Sequence, residues 1–94
     1  MRLRYTKRAA QQIDKSLSYI AEQSPQGAAH VRERLFAAVT LLQYRPYAGR
    51  ATSRAGIRRF SLLPYPYFID YRIVGDDLIV MRFRHAARKS KEKS

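Results

Sequence analysis

Residues 66–85, PYFIDYRIVGDDLIVMRFRH, decide the fold of this chain. Two runs rich in β-branched and aromatic side chains, 66–74 and 78–85, lie on either side of a Gly-Asp-Asp triplet. Such a triplet between two β-type runs is typical of a hairpin turn. The stretch therefore predicts two adjacent antiparallel strands near the end of the chain.

The register of this hairpin determines which side chains share a face. If residues 75–77 form a three-residue loop, the opposed pairs are Val74–Leu78, Arg72–Val80 and Asp70–Arg82. Alternation along the strands then predicts one largely polar face, made of Phe68, Asp70, Arg72, Arg82 and Arg84. The other face is apolar and is the one for helices to cover: Tyr67, Ile69, Tyr71, Ile73, Ile79, Met81 and Phe83.

Two amphipathic helices are predicted upstream of the hairpin. After a short strand at residues 2–5, Thr6 suits the N-cap of a helix that runs to about Gln23, with apolar residues at three- and four-residue spacing. Ser24 and Pro25 suit the N-cap and first turn of the next helix, which Pro46 ends. Its apolar stripe consists of Ala28, Val31, Leu35, Ala38, Val39 and Leu42. So short a connection makes the two helices pack as an antiparallel hairpin.

The order of elements predicts the fold class. Residues 45–56 are expected to be loop, and residues 57–63, IRRFSLL, another strand. The order β-α-α-β-β-β predicts an α+β fold, in which the helical hairpin covers one face of a small, mostly antiparallel sheet. The opposite face is expected to be partly open and basic. Residues 1–88 form one domain in this interpretation, and residues 89–94 a basic, flexible tail.

Net charge is the strongest compositional signal. The 94 residues contain 19 Lys+Arg and 7 Asp+Glu, a net charge of +12, of which residues 86–94 contribute only +3. Such a field attracts nucleic acid, an acidic membrane or an acidic protein. The chain has no cysteine, no signal-like apolar run at its start and no stretch of about 20 apolar residues, so a cytoplasmic protein without a membrane span is expected.

No cofactor or metal is predicted. Two histidines without cysteine are a poor ligand set for zinc, and four scattered glycines do not form a nucleotide-binding loop. A DNA-binding helix-turn-helix is disfavoured, because the apolar stripes of both helices are expected to be used in packing on the sheet.

Positive charge is concentrated at the end of the last strand, where Arg82, Arg84, His85 and Arg88 follow one another closely. They could form a solubilising edge, an anion-binding surface or an active site for phosphate chemistry. Metal-free RNA cleavage could use Arg72, Arg82, Arg84 and His85 for charge stabilisation and proton transfer. The general base is missing, because Asp70, the one carboxylate on the predicted sheet, is expected to pair with Arg82 and stay acidic.

The chain also resembles a known family. The order of elements, with GIRRF (56–60), PYFIDYRIVGDDLIVMR (66–82) and HAAR (85–88), resembles the RelE/ParE superfamily of bacterial toxins over roughly residues 3–88. The resemblance implies two helices against a curved antiparallel sheet. It also implies the toxin of a type II toxin–antitoxin system, bound in a hetero-oligomer by an acidic antitoxin encoded beside it.

Within this superfamily the strand and turn motifs look closer to the ParE branch, whose members inhibit DNA gyrase, than to RelE-like nucleases, which cut messenger RNA on the ribosome. Residues 57–63 carry arginines but none of the lysines or glutamate of RelE-like nucleases, and no tyrosine follows His85. A non-enzymatic gyrase inhibitor is therefore preferred. The alternatives are a ribosome-dependent mRNA endoribonuclease and a non-toxic, basic nucleic-acid-binding module. The candidate target-binding residues are Arg58, Arg59, Arg72, Arg82, Arg84, His85 and Arg88.

Overall fold

A computed structural model describes residues 1–87; the predicted tail at 89–94 and the candidate residue Arg88 lie outside them. The elements are β1 (Arg2–Tyr5), α1 (Lys7–Gln23), α2 (Pro25–Tyr44), β2 (Arg50–Ala51), β3 (Arg58–Ser61), β4 (Tyr67–Val74) and β5 (Asp77–His85). The strands form one sheet in the order β1-β5-β4-β3-β2, with β1 parallel to β5 and the other pairs antiparallel. The α+β fold predicted from the sequence is confirmed. The loop predicted over residues 45–56 missed the two-residue strand β2.

Both helix starts follow the predicted capping. The Thr6 hydroxyl accepts a hydrogen bond from the Ala9 amide at 3.0 Å, and the Ser24 hydroxyl accepts one from the Gly27 amide at 2.9 Å. These bonds satisfy amide groups that have no partner within the helix. Thr6 also donates to the Met81 carbonyl at 3.2 Å, which ties the start of α1 to the middle of β5.

The turn of the hairpin is one residue shorter than predicted. Val74 pairs with Asp77, so only Gly75 and Asp76 lie between the strands, and Gly75 has a positive φ of 58°. A two-residue turn needs positive φ, and glycine adopts it without steric cost. The predicted pairs Val74–Leu78 and Arg72–Val80 are therefore wrong, because the observed partners are Asp77 and Ile79.

A β-bulge restores the predicted register further along. Between the pairs Tyr71–Val80 and Asp70–Arg82, β5 has one extra residue, Met81. The predicted cross-strand register of Asp70 opposite Arg82 is thus correct, since a bulge shifts one strand by one position relative to its partner. The shorter turn and the bulge cancel each other beyond Met81.

This change of register alters which side chains of β5 face the helices. Leu78 and Val80 are fully buried before the bulge, and Phe83 is buried after it. The prediction that Ile79 and Met81 face the helices is wrong, because both are only half-buried and Ile79 pairs with Arg72 on the opposite face. The turn length decided this, since a shift of one residue exchanges the two faces of a strand.

The core lies between α2 and the sheet. Its buried members are Ala9, Val31, Leu35, Ala38, Val39, Leu42, Leu62, Ile69, Tyr71, Leu78, Val80 and Phe83. The apolar stripe predicted for α2 is confirmed, as all six of its residues are buried. In α1 only Ala9 is buried, and Ile13, Leu17 and Ile20 are partly buried against the core. The stripe of α1 thus packs against the core as expected, but it is only partly covered.

Tyr71 connects the core to the loop after α2. Its hydroxyl donates to the Pro46 carbonyl at 2.7 Å and accepts from the Gly49 amide at 2.9 Å. Burial raises the pKa of Tyr71, while the Gly49 amide and the nearby charge of Arg58 act in the opposite direction. The loop approaches so closely that a Cβ atom at Gly49 would lie 2.5 Å from the Tyr71 hydroxyl. In residues 1–87 neither helix is long and apolar enough to cross a bilayer.

Candidate functional site

The face of the sheet opposite the helices is lined by arginine. The strand registers place seven of them there, and we call this surface the arginine face: Arg2, Arg4, Arg50, Arg59, Arg72, Arg82 and Arg84. Asp70 and Asp77 are the two carboxylates on the same face within residues 1–87. Alternation along each strand brings these side chains together although they are far apart in the sequence.

Asp70 is buried in an ion pair on this face. Its carboxylate accepts from Nε of Arg59 at 2.7 Å and from a terminal nitrogen of the same guanidinium at 3.0 Å. The guanidinium also lies 4.1 Å from the centre of the Phe68 ring. Arg82 is the cross-strand neighbour of Asp70 on β5, but the prediction that it forms an ion pair with Asp70 is wrong. Instead Arg59, the neighbour on β3, binds both carboxylate oxygens in a fork geometry.

Asp77 is paired at the opposite edge of the arginine face. Its oxygens accept from Nε of Arg2 at 3.0 Å and from Arg4 at 3.4 Å. The hydrogen bond from Arg2 is the largest influence that lowers the pKa of Asp77 below 3.8. Both carboxylates on the face are thus engaged. Within residues 1–87, Arg50, Arg72 and Arg82 have no carboxylate partner.

Two predicted site residues do not lie on the arginine face. Arg58 pairs with Tyr71 across the sheet, donates to the Gly49 carbonyl and lies 5.0 Å over the Tyr47 ring. Its observed contacts hold the loop after α2 against the sheet. His85 pairs with Tyr67, whose ring it meets edge-on at 5.1 Å, and its Nδ1 accepts from the Ala87 amide at 3.0 Å.

The arrangement of these predicted residues bears on the chemistry that the face can perform. Arg72, Arg82 and Arg84 share a face as predicted, and Arg59 of β3 lies beside them, whereas His85 lies by register on the other side of the strand. The described part of the chain contains no group of three or more His, Cys, Asp or Glu side chains that could hold a metal ion. The face therefore concentrates positive charge on one side of the sheet.

Three arginines of the face were missed from the sequence. Arg2 and Arg4 alternate with Leu3 in β1, and this pattern was the signal that could have placed both on one face. Arg50 could not be found in this way, because β2 has only two residues. Arg50 and Arg59 also line a hollow of about 400 Å³ beside Phe68 and Tyr65.

A helical hairpin on one side of an open five-stranded sheet, with arginine on the other side, defines a RelE/ParE-type toxin fold. The family model described as "ParE toxin of type II toxin-antitoxin system, parDE" matches residues 3–90. The chain belongs to this family, and the resemblance to the ParE branch of the RelE/ParE superfamily is confirmed.

One curated protein and one solved structure are similar to this chain. The curated protein "Putative toxin Y4kP" of Sinorhizobium fredii (strain NBRC 101917 / NGR234) is 35% identical over 85 residues, which cover 90% of this chain and 88% of that protein. The solved structure "Chromosomal ParDE TA system from P. aeruginosa" has a similar fold, with a TM-score of 0.79 and 24% identity. That match covers 90% of this chain and 95% of the other.

Proposed function

We propose that this ParE-type toxin arrests growth by binding DNA gyrase through its arginine face, without catalysing a reaction. The observation that carries the proposal is the bidentate pairing of Asp70 with Arg59. Because both oxygens of this buried carboxylate are already engaged by the Arg59 guanidinium, neither is free to approach a substrate hydroxyl. Beside it stand Arg72 and Arg82, which have no carboxylate partner within residues 1–87.

Gyrase is proposed as the target because the chain belongs to the ParE family. The arrangement of the arginine face supports binding rather than cleavage. Exposed guanidinium groups on one face contribute favourable contacts to a negatively charged surface and accelerate association. The charge of +12 makes this attraction dependent on salt. A nuclease would instead need a general base and a general acid within reach of the same phosphate.

Growth and gyrase assays test this proposal. Expression of the chain alone should stop bacterial growth, and purified chain should reduce supercoiling by gyrase or increase its cleaved complexes. Arg72→Gln and Arg82→Gln should weaken both effects. Arg8→Gln, which removes the same charge from an exposed position on α1, should not.

Three results would overturn the proposal. Unchanged supercoiling and unchanged cleaved complexes would remove gyrase as the target. Newly mapped RNA ends on translating ribosomes, lost in Arg82→Ala and His85→Ala, would show a ribonuclease instead. Normal growth together with salt-dependent binding to any nucleic acid would show a non-toxic binding module.

We further propose that an acidic antitoxin neutralises the chain. Its apolar side chains would occupy a groove of about 490 Å³ along α1, lined by Tyr5, Ala10, Ile13, Asp14, Leu17, Ser18, Ala21, Arg32 and Leu35. The groove adjoins β1, an edge strand. The amides of Arg2 and Thr6 point to β5, so the backbone groups of Leu3 and Tyr5 face outward by alternation. Such an edge can accept a further strand.

A blocked groove tests this site. Ala10 is exposed and lines the groove, so Ala10→Arg should prevent neutralisation and leave growth arrest intact. Gln11→Arg, one position along the same helix and outside the groove lining, is the matched control. The melting temperature of the chain should rise when the short acidic protein encoded beside it is added. If that protein neutralised Ala10→Arg as well as it neutralised Gln11→Arg, the groove could not be its binding site.

A further inference from the structure

The C-terminal half of α2 exposes apolar and aromatic side chains on its outer side, with no charged residue among them. Residues 35–44, LFAAVTLLQY, form a run of ten without Asp, Glu, Lys or Arg in a chain that is 28% charged. Phe36 is 69% exposed, Tyr44 is 83% exposed and Leu41 is 40% exposed. Packing on the sheet does not account for these three residues, because α2 already buries a complete apolar stripe on its other side.

These three residues belong to one continuous surface, which we call the outer stripe and which also contains the exposed Glu33 and Ala37 and the half-buried Thr40. At 100° per residue, Glu33, Ala37, Thr40 and Tyr44 lie opposite the buried side of the helix, with Phe36 and Leu41 on the two flanks. Thr40 donates its hydroxyl to the Phe36 carbonyl at 2.8 Å. Its polar hydrogen is therefore satisfied within the helix, so an apolar surface can cover the hydroxyl without breaking a hydrogen bond to water.

The stripe has the pattern of a self-complementary helix surface. Small side chains at Ala37 and Thr40 lie between Phe36 and Tyr44, which are each four residues from Thr40. Against a second, antiparallel copy of α2, Phe36 of one chain would lie opposite Tyr44 of the other. The small residues at the crossing allow the 8–10 Å separation at which helices pack.

Charge at the two ends of the stripe is also complementary. Glu33 is the one acidic residue of α2, and Arg45 directly follows the helix. Both side chains are exposed, and within residues 1–87 neither forms an ion pair. Antiparallel packing would bring Glu33 of each copy close to Arg45 of the other, as a two-fold axis requires of an isologous interface.

We propose that α2 is a homodimer interface, through which two copies of this chain pack antiparallel along the outer stripe. The helices cover one face of the sheet, so this interface leaves both arginine faces directed away from each other. This inference does not depend on the identity of the target. The exposed parts of Phe36, Leu41 and Tyr44 amount to on the order of 400 Å² per copy, or about 800 Å² over both copies. This is below the roughly 1,000 Å² of a stable specific interface, so the dimer should be weak.

Sedimentation equilibrium of the full chain over a concentration series tests the dimer. We expect a monomer–dimer equilibrium that tightens as salt increases, because salt screens the repulsion between two copies of charge +12. Ala37→Arg should raise the dissociation constant by about tenfold or more, because it places a charge at the centre of an apolar contact. Ala10→Arg, the same substitution at an exposed position of α1, should leave the dissociation constant unchanged.

A charge exchange tests the antiparallel geometry without disturbing the apolar centre. Glu33→Arg alone and Arg45→Glu alone should each weaken the dimer, and the double variant should recover the original dissociation constant. A monomer at every concentration would overturn the proposal, and a different protein bound to the stripe would do the same. A dimer lost in Ala10→Arg and retained in Ala37→Arg would place the interface in the α1 groove and overturn it too.

Discussion

Asp70 and Tyr71 are neighbours on β4, are both buried and point to opposite faces of the sheet, yet their polar atoms are satisfied in different ways. Tyr71 bonds backbone groups of Pro46 and Gly49, so its contacts hold a loop against the core. Asp70 bonds the side chain of Arg59, so its contact changes the charge of the arginine face. One face of the strand thus stabilises the fold, and the other sets which arginines of the arginine face are neutralised.

The largest effect is expected where the loop meets Tyr71. A Cβ atom at Gly49 would lie 2.5 Å from the Tyr71 hydroxyl and 2.9 Å from the Arg59 carbonyl, so Gly49→Ala must displace the loop or the strand. We expect a loss of about 2–3 kcal/mol in the free energy of unfolding, measured in urea. Gly75→Ala is the comparison, because Gly75 has open space and positive φ, and it should cost only about 1 kcal/mol. Equal losses for the two variants would argue against the close contact at Gly49.

Asp70→Asn is expected to have the next largest effect. It removes the charge that compensates Arg59, whose side chain is 22% exposed, and should lower the free energy of unfolding by about 2 kcal/mol. A double-mutant cycle with Arg59→Met would show strong coupling if the pair is formed as described. Additive losses would indicate that Asp70 is stabilised by another group.

Tyr71→Phe should have a smaller effect than Asp70→Asn. The change keeps the ring and leaves the Gly49 amide and Pro46 carbonyl without the hydroxyl, at a cost of about 1–2 kcal/mol. Tyr19→Phe, on an exposed ring of α1, provides the control and should leave stability unchanged. A Tyr71→Phe variant as stable as the Tyr19→Phe variant would mean that water replaces the lost bonds.

The smallest effect concerns Asp77, because its two ion-pair partners, Arg2 and Arg4, have exposed side chains. Since its pKa is lowered in the folded chain, ionised Asp77 contributes stability above its unfolded pKa, and that contribution is lost as pH falls through the lower, folded value. Carbon-detected NMR titration should give a midpoint below 3.8, and Arg2→Gln should raise it, because Arg2 is the largest cause. A midpoint that does not move in Arg2→Gln would assign the effect to Arg4.

The sequence predicted the helices, their caps and the buried stripe of α2 because those features depend on spacing within one element. It also indicated that Arg72, Arg82 and Arg84 share a face, since beyond the bulge the shorter turn and the extra residue compensate. It assigned Ile79 and Met81 to the wrong face of the sheet, because the Gly-Asp-Asp triplet is compatible with a turn of either two or three residues. The sequence could not identify the partner of Asp70, because Arg59 and Arg82 are its cross-strand neighbours on the two adjacent strands. In the folded chain the Arg59 guanidinium binds Asp70 and also lies over the Phe68 ring.

The sequence alone determined the fold class, the excess of positive charge and the family. Periodicity, composition and motifs can be read from the chain without knowing which distant residues are in contact. The tertiary structure alone decided which arginines are neutralised, where His85 and Arg58 point, and that α1 and α2 both keep apolar surface uncovered. These properties depend on contacts between residues remote in the chain, and a single shift of strand register is enough to change them.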